Sequence, residues 1–352
     1  MKSFVYNALP SRVVFGNGTL SQVVQEITNL GCSKALILTT PRQVAQGERL
    51  KELVGDKTVG IYTNATMHTP TNVTDDAVAV VQKLGADVVV AVGGGSTIGL
   101  AKAIALRTDL PQIVIPTTYS GSEATAVIGQ TENGLKTTQK TLKVLPEVII
   151  YDISLTLTLP PRVTITSGLN AIAHAVEALY SKEASPITDT LAEQGILSIA
   201  KALPVIMNDS GNLDARSEAL YGAWACGTCL GAVGMGLHHK LCHTLGGTFN
   251  MPHAETHTVI LPHSMAYNAP YAQEAMEKVA KILGVSNAAQ GIFDLSKSLG
   301  VPSTLKELGM KEEDLEKAAD IASKSPYPNP APLEKEKMLL LLKNAYAGVR
   351  PS

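Results

Sequence analysis

The run VVVAVGGGSTIGLAK, residues 88–102, constrains the fold of this chain more than any other segment. Its valine-rich start predicts a buried strand, and the three glycines followed by a helical pattern predict a tight turn from that strand into a helix. Glycines let backbone N–H groups approach a ligand closely, and a helix start adds free N–H groups and the positive end of its dipole. We therefore predict a phosphate or pyrophosphate site, at Gly93, Gly94, Gly95 and Ser96.

The turn does not match the usual dinucleotide fingerprint G-x-G-x-x-G, because Ile98 stands at the third glycine position. A tight turn alone, however, would need one or two glycines rather than three. A second polar loop, PTTYSGSEAT at 116–125, follows the next strand-like run. Ligands of open α/β sheets gather where neighbouring strands end, so this loop is predicted to bind phosphate or ribose. Its predicted cofactor-binding residues are Thr117, Thr118, Ser120 and Ser122.

The first half of the chain alternates strand-like and helical patterns. The strand-like runs are 35–40, 58–63, 87–95, 112–118 and 147–152, and the helical patterns between them include 72–86 and 96–106. Such alternation predicts a mostly parallel sheet with helices packed on it.

Beyond Leu159-Pro160-Pro161 the valine and isoleucine runs stop and long helical patterns take over. They cover 166–182, 187–207, 213–247, 271–283, 287–299, 312–324 and 334–347. We predict an α/β dinucleotide-binding, Rossmann-like domain over 1–158 and an all-α catalytic domain over 159–352. The active site is expected in the cleft between them.

Composition excludes several classes of protein. The net charge of −2 gives no reason to expect nucleic acid or a membrane surface as a partner, and the N-terminus has no signal-peptide pattern. The four cysteines do not form a disulfide framework in a chain of this length, so a reducing cytoplasm is expected. Residues 219–237 carry no charge over nearly a membrane-spanning length, but Gly, Ala and Cys predominate, which predicts a buried central helix.

Histidines supply the chemistry of the second half. Asn170 and His174 are four residues apart in an apolar helical pattern, as are His239 and His243, so each pair shares a helix face. We place His253 in a loop after Pro252. Two such polar pairs in an apolar domain predict one polar pocket shared by several helices.

A metal ion is the first ligand to consider for this pocket, because three or four imidazoles can hold zinc or iron. Asn170 argues against one, because an amide is a poor ligand for a borderline divalent ion and adds no negative charge. The pocket is predicted instead to hydrogen-bond an anionic substrate.

Four segments together resemble the iron-containing (group III) alcohol dehydrogenase family. They are GGGSTIGLAK, PTTYSGSEAT, GLNAIAHAVEALYS and HHKLCHTLGGTFNMPHAETHTVILPH. In the metal-dependent members, an aspartate and three histidines bind the metal; the resemblance places Asn170 at the aspartate, and His174, His239 and His253 at the histidines. It also implies a proton relay at His243, a ribose contact at Lys136 and a homodimer.

The loss of the aspartate implies a branch of that family that works without a required metal. The expected reaction is reduction of the carbon–carbon double bond of a small 4-oxo dicarboxylate, with Asn170, His174, His239 and His253 around the substrate and His243 as the general acid. Lys240, His238 and His257 are the predicted carboxylate-binding residues. Thr40 stands where NAD-selective relatives place an aspartate, so NADH and NADPH are both expected donors. Gly99 also departs from the family, which usually carries aspartate there.

Other interpretations remain open from the sequence. Three histidines alone hold zinc in some enzymes, so a metal-dependent alcohol or polyol dehydrogenase of the same family is the main alternative. A metal-dependent lyase with the same nucleotide domain and a non-enzymatic nucleotide sensor are two further alternatives. The N-terminal SFVYNALPSRVVFG resembles an edge strand that a second copy of the chain would pair with.

Overall fold

Six parallel strands form the main sheet of this protein. In the computed structural model, which describes residues 4–132, 135–324 and 327–352, the strand order is β1-β8-β5-β4-β2-β3, and every neighbouring pair is parallel. The strands are β1 (Arg12–Gly16), β2 (Ala35–Leu38), β3 (Thr58–Tyr62), β4 (Val88–Gly93), β5 (Gln112–Pro116) and β8 (Val148–Asp152). The predicted parallel sheet and all five predicted strands are confirmed.

Four helices pack on this sheet. They are α1 (Val23–Asn29), α2 (Val44–Val54), α3 (Thr71–Leu84) and α4 (Gly95–Thr108). β4 and β5 are buried along their whole length, as expected for central strands with both faces covered. A separate antiparallel hairpin of β6 (Val127–Glu132) and β7 (Leu135–Lys140) was not predicted, because its Thr- and Gln-rich strands carry no apolar run.

The order of the strands defines where a ligand belongs. From β2 the chain moves outward to the edge strand β3 and then returns to the other side of β2 to form β4. Ligands of open α/β sheets bind beyond the carboxyl ends of the strands at such a reversal of order. The glycine turn follows β4 at this point, and Thr39 and Thr40 follow β2.

The rest of the chain is helical. Its helices are α5 (Pro161–Leu179), α6 (Pro186–Asn208), α7 (Leu213–Ala232), α8 (Leu237–Phe249), α9 (His253–Asn268), α10 (Gln273–Leu283), α11 (Ala288–Ser298), α12 (Leu315–Lys324) and α13 (Lys335–Ala347). The chain divides into two compact units, of which one is Ala8–Leu159 and the other contains Pro160–Ser352. The described residues before Ala8 belong with the helical unit, whereas the predicted α/β domain included them.

Two helix boundaries differ from the sequence predictions. The pattern over 213–247 is not one helix, because α7 ends at Ala232 and α8 begins at Leu237 after a bend of 96°. The prediction of a loop at His253 was wrong, since α9 begins at that residue. Apolar and polar residues alternate without a clear face along α9, because most of its length is buried on all sides and no amphipathic pattern is needed.

Small residues bring α6 and α7 close together. A Cβ at Gly195 would lie 2.6 Å from the sulfur of Cys226, and a Cβ at Gly222 would lie 2.6 Å from Ile199 Cγ1. α6 is long and apolar enough to cross a membrane by length and composition alone. It packs against α5 and α7 with Ile196, Ile199 and Leu203 fully buried, which is typical of a core helix.

Candidate active site

Three helices of the helical unit bring the imidazoles together. His174 on α5 lies 5.0 Å from His239 on α8, measured between ring centres, and His239 lies 5.0 Å from His257 on α9. His238 is 4.8 Å and His253 is 4.5 Å from the ring of His257. Histidines on α5, α8 and α9 therefore form one polar cluster.

Glu177 is the centre of this cluster and was not predicted from the sequence. Its carboxylate is buried on α5 and contacts His239 Nδ1 at 2.6 Å. It also accepts hydrogen bonds from the backbone N–H groups of Gly236, at 3.0 Å, and His238, at 2.9 Å. One carboxylate thus binds the start of α8, where N–H groups lack helical partners, and orients an imidazole of the same helix.

The spacing of polar residues along α5 predicts that Glu177 belongs to this site. Asn170, His174 and Glu177 are spaced i, i+4 and i+7, which places all three on one stripe of α5. Only the first two were paired in the sequence prediction. A glutamate inside the apolar run AIAHAVEALY had to be buried with α5, and a buried carboxylate requires donors.

A second chain of hydrogen bonds joins α8 to α9. His238 Nε2 lies 2.8 Å from His257 Nδ1, and His238 Nδ1 lies 3.2 Å from Ser264 Oγ. Cys242 Sγ lies 3.7 Å from His238 Nε2. Burial and the nearby charge of Glu177 raise the pKa of Cys242 well above its ordinary value, so the thiol stays protonated and inert.

The central imidazoles are neutral. Burial is the main cause that lowers the pKa of His174, His238 and His257 well below the ordinary value of 6.5, and neighbouring imidazoles lower it further. At neutral pH each ring therefore carries one N–H donor and one acceptor. This cluster offers directed hydrogen bonds rather than positive charge.

Several buried polar atoms of the cluster lack a hydrogen-bond partner among the described residues. They are Asn170 Oδ1, His174 Nδ1, His239 Nε2 and His257 Nε2. Buried polar groups are nearly always paired, so unpaired ones gathered in one place indicate a site that a polar ligand fills. Because Glu177 accepts from His239 Nδ1, the Nε2 of His239 is the ring nitrogen that faces a ligand.

One group of three side chains in this cluster fits a metal ion poorly. Within the described part of the chain, the three potential ligands that come within 4.8 Å of one another are His238, Cys242 and His257. Two of their nitrogens are 2.8 Å apart as a hydrogen bond, whereas nitrogen ligands of a tetrahedral ion are separated by roughly 3.3 Å. The thiol is protonated, and Asn170, which the sequence resemblance places at a carboxylate position of the family, is uncharged.

The remaining predicted residues of this unit lie around the cluster. The ring of His243 lies 6.0 Å from that of His239, and His243 is exposed, unlike the buried imidazoles. Lys240, which was predicted to bind a carboxylate, has its ammonium over the ring of Tyr327, 5.8 Å from the ring centre.

The α/β unit brings its predicted residues together at the carboxyl ends of the strands. Gln43, which was not predicted from the sequence, accepts a hydrogen bond from Thr40 Oγ1 at 3.1 Å and donates to Thr117 Oγ1 at 3.3 Å. The backbone N–H of Thr117 donates to Gly93 O at 3.0 Å. Residues that follow β2, β4 and β5 therefore form one polar edge.

Two of the three glycines of this turn, Gly93 and Gly94, leave no room for side chains. A Cβ at Gly93, where φ is +152°, would lie 2.4 Å from Thr97 Oγ1, and a Cβ at Gly94 would lie 3.0 Å from Thr118 Cγ2. Thr97 Oγ1 is itself buried without a partner among the described residues. The turn thus exposes backbone donors at the start of α4, as phosphate binding requires. The side chain of Lys136 lies outside the described residues.

Two of the predicted hydroxyl-bearing residues, Ser120 and Ser122, make hydrogen bonds within the protein. Ser120 donates to the buried carboxylate of Glu123, and the carbonyl of Ser122 accepts from the ammonium of Lys102. Gly99 has a separate role, because a Cβ there would lie 2.4 Å from Thr69 Oγ1. Thr69 has a φ of +47°, which is unusual for a β-branched residue, and the missing side chain at Gly99 makes room for it.

The chain belongs to the iron-containing alcohol dehydrogenase family, and its relatives indicate an oxidoreductase. The family profile described as "Iron-containing alcohol dehydrogenase" matches residues 10–153, and that described as "Fe-containing alcohol dehydrogenase family, C-terminal" matches residues 164–346.

Individual relatives are similar over the whole chain. Maleylacetate reductase of Burkholderia cepacia is 54% identical over 352 residues, which is 100% of both chains. The crystal structure of maleylacetate reductase from Agrobacterium tumefaciens is 51% identical, with a TM-score of 0.96 and 100% of both chains covered. An iron-containing alcohol dehydrogenase from Corynebacterium glutamicum is 40% identical, with a TM-score of 0.95 and coverage of 100% of this chain and 99% of that one.

Proposed function

We propose that this chain reduces the carbon–carbon double bond of maleylacetate to give 3-oxoadipate, a step in the catabolism of aromatic compounds, with NADH or NADPH as the hydride donor and without a required metal. The observation that carries the proposal is the buried cluster of an amide and neutral imidazoles with unpartnered polar atoms. The full-length similarity to maleylacetate reductases supports the same reaction.

The chemistry requires hydrogen-bond donors at one oxygen. Bound NADH or NADPH would supply hydride to the carbon β to the ketone, and the electron pair of the double bond would move toward the ketone oxygen to give an enolate of the substrate. A proton then adds to the carbon next to the ketone, so the substrate gains one hydride and one proton and the cofactor leaves oxidised. Donors aimed at the enolate oxygen stabilise the transition state. His174, whose Nδ1 has no partner among the described residues, and Asn170, through the NH2 group of its side chain, are our candidates for this role.

The proton is assigned to His243. An exposed imidazole exchanges protons with water readily, whereas the buried rings of His174 and His257 are held neutral. Histidine is the side chain that most often acts as a general acid. His257, whose Nε2 has no partner among the described residues, remains our candidate donor to a substrate carboxylate, whereas both ring nitrogens of His238 are already hydrogen-bonded, to Ser264 and to His257.

We assign cofactor binding to the polar edge of the α/β unit. Backbone N–H groups of Gly94–Ser96 at the start of α4 suit a pyrophosphate, and the hydroxyls of Thr117 and Thr118 suit the adjoining oxygens. Thr40 has a hydroxyl in place of a carboxylate, so no negative charge from that residue repels a 2′-phosphate. NADH and NADPH are therefore both proposed as donors.

One observation favours a second candidate, a metal-dependent alcohol or polyol dehydrogenase. A carboxylate that accepts from one ring nitrogen of a histidine, as Glu177 does from His239, is the usual support for a histidine that binds a metal through its other nitrogen. His239 Nε2 is buried and has no partner among the described residues.

One experiment separates the two candidates. Oxidation of NADH and NADPH is followed with maleylacetate and with a panel of simple aldehydes, before and after treatment with a chelator. We expect turnover with maleylacetate that survives the chelator and exceeds turnover with any aldehyde. Activity that disappears on chelation and returns fully with zinc or ferrous ion would overturn the metal-independent mechanism.

We also propose a homodimer in the cytoplasm. β1 pairs with β8 on one side only, so it is the edge strand of the sheet and can pair with a second copy. The four cysteines are free thiols, as a reducing compartment keeps them. Light scattering coupled to gel filtration tests the assembly, and a monomer at micromolar concentration would contradict it.

A further inference from the structure

Lys102 is the most deeply buried cation of the α/β unit among the described residues, and the proposed chemistry does not use it. It lies on α4, less than two turns after the glycine turn, and only 2% of the residue is exposed. Its ammonium lies 2.6 Å from Ser122 O, 2.8 Å from Thr125 O and 2.9 Å from Val127 O. It also lies 2.8 Å from Thr125 Oγ1.

These four oxygens belong to one short segment. The polar loop at 116–125 leaves β5 at Pro116 and passes through a 3-10 turn at Ser122–Ala124. The chain then enters β6 at Val127. Lys102 contacts carbonyls at the beginning of the turn and beyond its end. An ammonium has only hydrogen-bond donors and these partners are mainly carbonyls, so the cation ties the start of the 3-10 turn to the first residue of β6.

A buried carboxylate holds the same turn from another side. Glu123 is fully buried and accepts hydrogen bonds from Tyr151, at 2.9 Å, and from Ser120, at 3.2 Å. Burial raises the pKa of Glu123 and lowers the pKa of Lys102 to about 7, while each charge opposes the shift of the other. Four oxygens around Nζ favour the charged ammonium over the amine, which has one donor fewer.

We propose that Lys102 is a positioning residue for the nicotinamide cofactor, which fixes the loop Thr117–Ser122 by holding the carbonyls that follow it. The inference rests on the proposed function, because it takes this loop as part of the cofactor site. A cation that only stabilised the core would change the unfolding temperature and leave cofactor affinity of the folded protein unchanged. A positioning residue changes the affinity itself.

The test is Lys102→Met, which keeps an unbranched side chain one atom shorter and removes the ammonium group. The dissociation constants of NADH and NADPH are measured by fluorescence on the full-length protein well below its unfolding temperature, together with kcat and KM. We expect both dissociation constants to rise about tenfold and by the same factor, because a misplaced loop weakens contacts that the two cofactors share. kcat at saturating cofactor and KM for maleylacetate are expected to change less than about threefold.

The matched control is Lys143→Met. Lys143 is an exposed lysine of the same unit that pairs with Asp109, and the same substitution there is expected to leave both dissociation constants unchanged. If Lys102→Met does not fold, Thr125→Val removes one of the four oxygens and is expected to raise both constants about threefold.

The outcomes separate this inference from the proposed function. Unchanged dissociation constants in folded Lys102→Met, or in Thr125→Val if the first variant does not fold, would overturn the positioning role while the wild-type reaction stands. Wild-type protein that binds cofactor but does not reduce maleylacetate would contradict the proposed substrate and leave the role of Lys102 intact.

Discussion

The helical unit builds its candidate site from side chains, whereas the α/β unit builds its own from backbone. In the helical unit, imidazoles, an amide and the carboxylate of Glu177 carry the chemistry. In the α/β unit, glycines expose N–H groups, and Lys102 holds loop carbonyls. Each unit buries a charge satisfied by backbone groups, but the signs are opposite. We therefore expect the site of the helical unit to be sensitive to which functional groups its side chains carry. The site of the α/β unit should be sensitive to added side-chain volume and to backbone conformation.

The largest effect is expected at His243. His243→Ala should lower kcat by about 10²–10⁴-fold, because a general acid contributes on that scale, while the dissociation constant of NADH stays within a few-fold of wild type. Steady-state kinetics and cofactor titration measure the two quantities separately. Unchanged kcat would remove His243 from the chemistry and weaken the division between the two units.

Acid should destabilise the helical unit through its neutral imidazoles. Burial lowers the pKa of His263 on α9 to about 4, against 6.5 when unfolded. Above pH 6.5 neither state binds the proton; below it the unfolded state does, so stability falls as pH drops from 6.5 to 4. The loss approaches about 3 kcal/mol for this residue.

Urea unfolding of wild type and His263→Leu at pH 7.5, 5.5 and 4.5 measures this loss. At pH 7.5 the substitution itself changes the free energy of unfolding by some amount. As the pH falls, the stability of the variant should decrease less steeply than that of wild type, because it has one titrating group fewer. Parallel pH profiles for the two proteins would show that His263 does not resist protonation in the fold.

Glu177→Gln tests the buried carboxylate. The substitution keeps the shape but weakens hydrogen bonds to the start of α8 and to His239, so we expect a loss of about 2 kcal/mol in the free energy of unfolding and a lower kcat. Glu183→Gln is the control, since Glu183 is exposed and accepts from Gly234 before the same helix. Equal effects of the two substitutions would refute the special role of Glu177.

The smallest effect tests space in the α/β unit. Gly99→Ala should cost about 1 kcal/mol, because the added Cβ meets Thr69 Oγ1. Adding Thr69→Gly should recover that loss, since glycine removes the hydroxyl and tolerates the positive φ. Gly95→Ala serves as the stability control because its Cβ would meet nothing within 4 Å. Additive effects of the two substitutions would rule out the contact.

Much of the α/β unit was predictable because each of its signals is local. A valine run followed by Gly93–Gly95 specifies a strand, a turn and a helix within one segment, and the structure has all three. The hairpin β6–β7 was not predictable in this way, because its polar strands are defined by each other rather than by a buried face.

The candidate site of the helical unit was only partly predictable. Helix periodicity paired Asn170 with His174 and His239 with His243, but it could not say which helices meet. The contact between Glu177 and His239 spans 62 residues of sequence and depends on how α5 and α8 pack. The break between α7 and α8 was also missed, because Gly234 and Gly236 lie in an apolar run that reads as one helix.

The carboxylate of Glu177 contacts both the imidazole of His239 and the backbone N–H groups at the start of α8. The backbone contacts alone are enough to require an acidic residue at this position. A homologue that had lost its activity could replace His239, but it would still need an acceptor for the backbone N–H groups at the start of α8. Degenerate copies should therefore keep the glutamate after the histidine has drifted. Retention of that acidic position alone is then a mark of shared architecture and no proof of surviving activity.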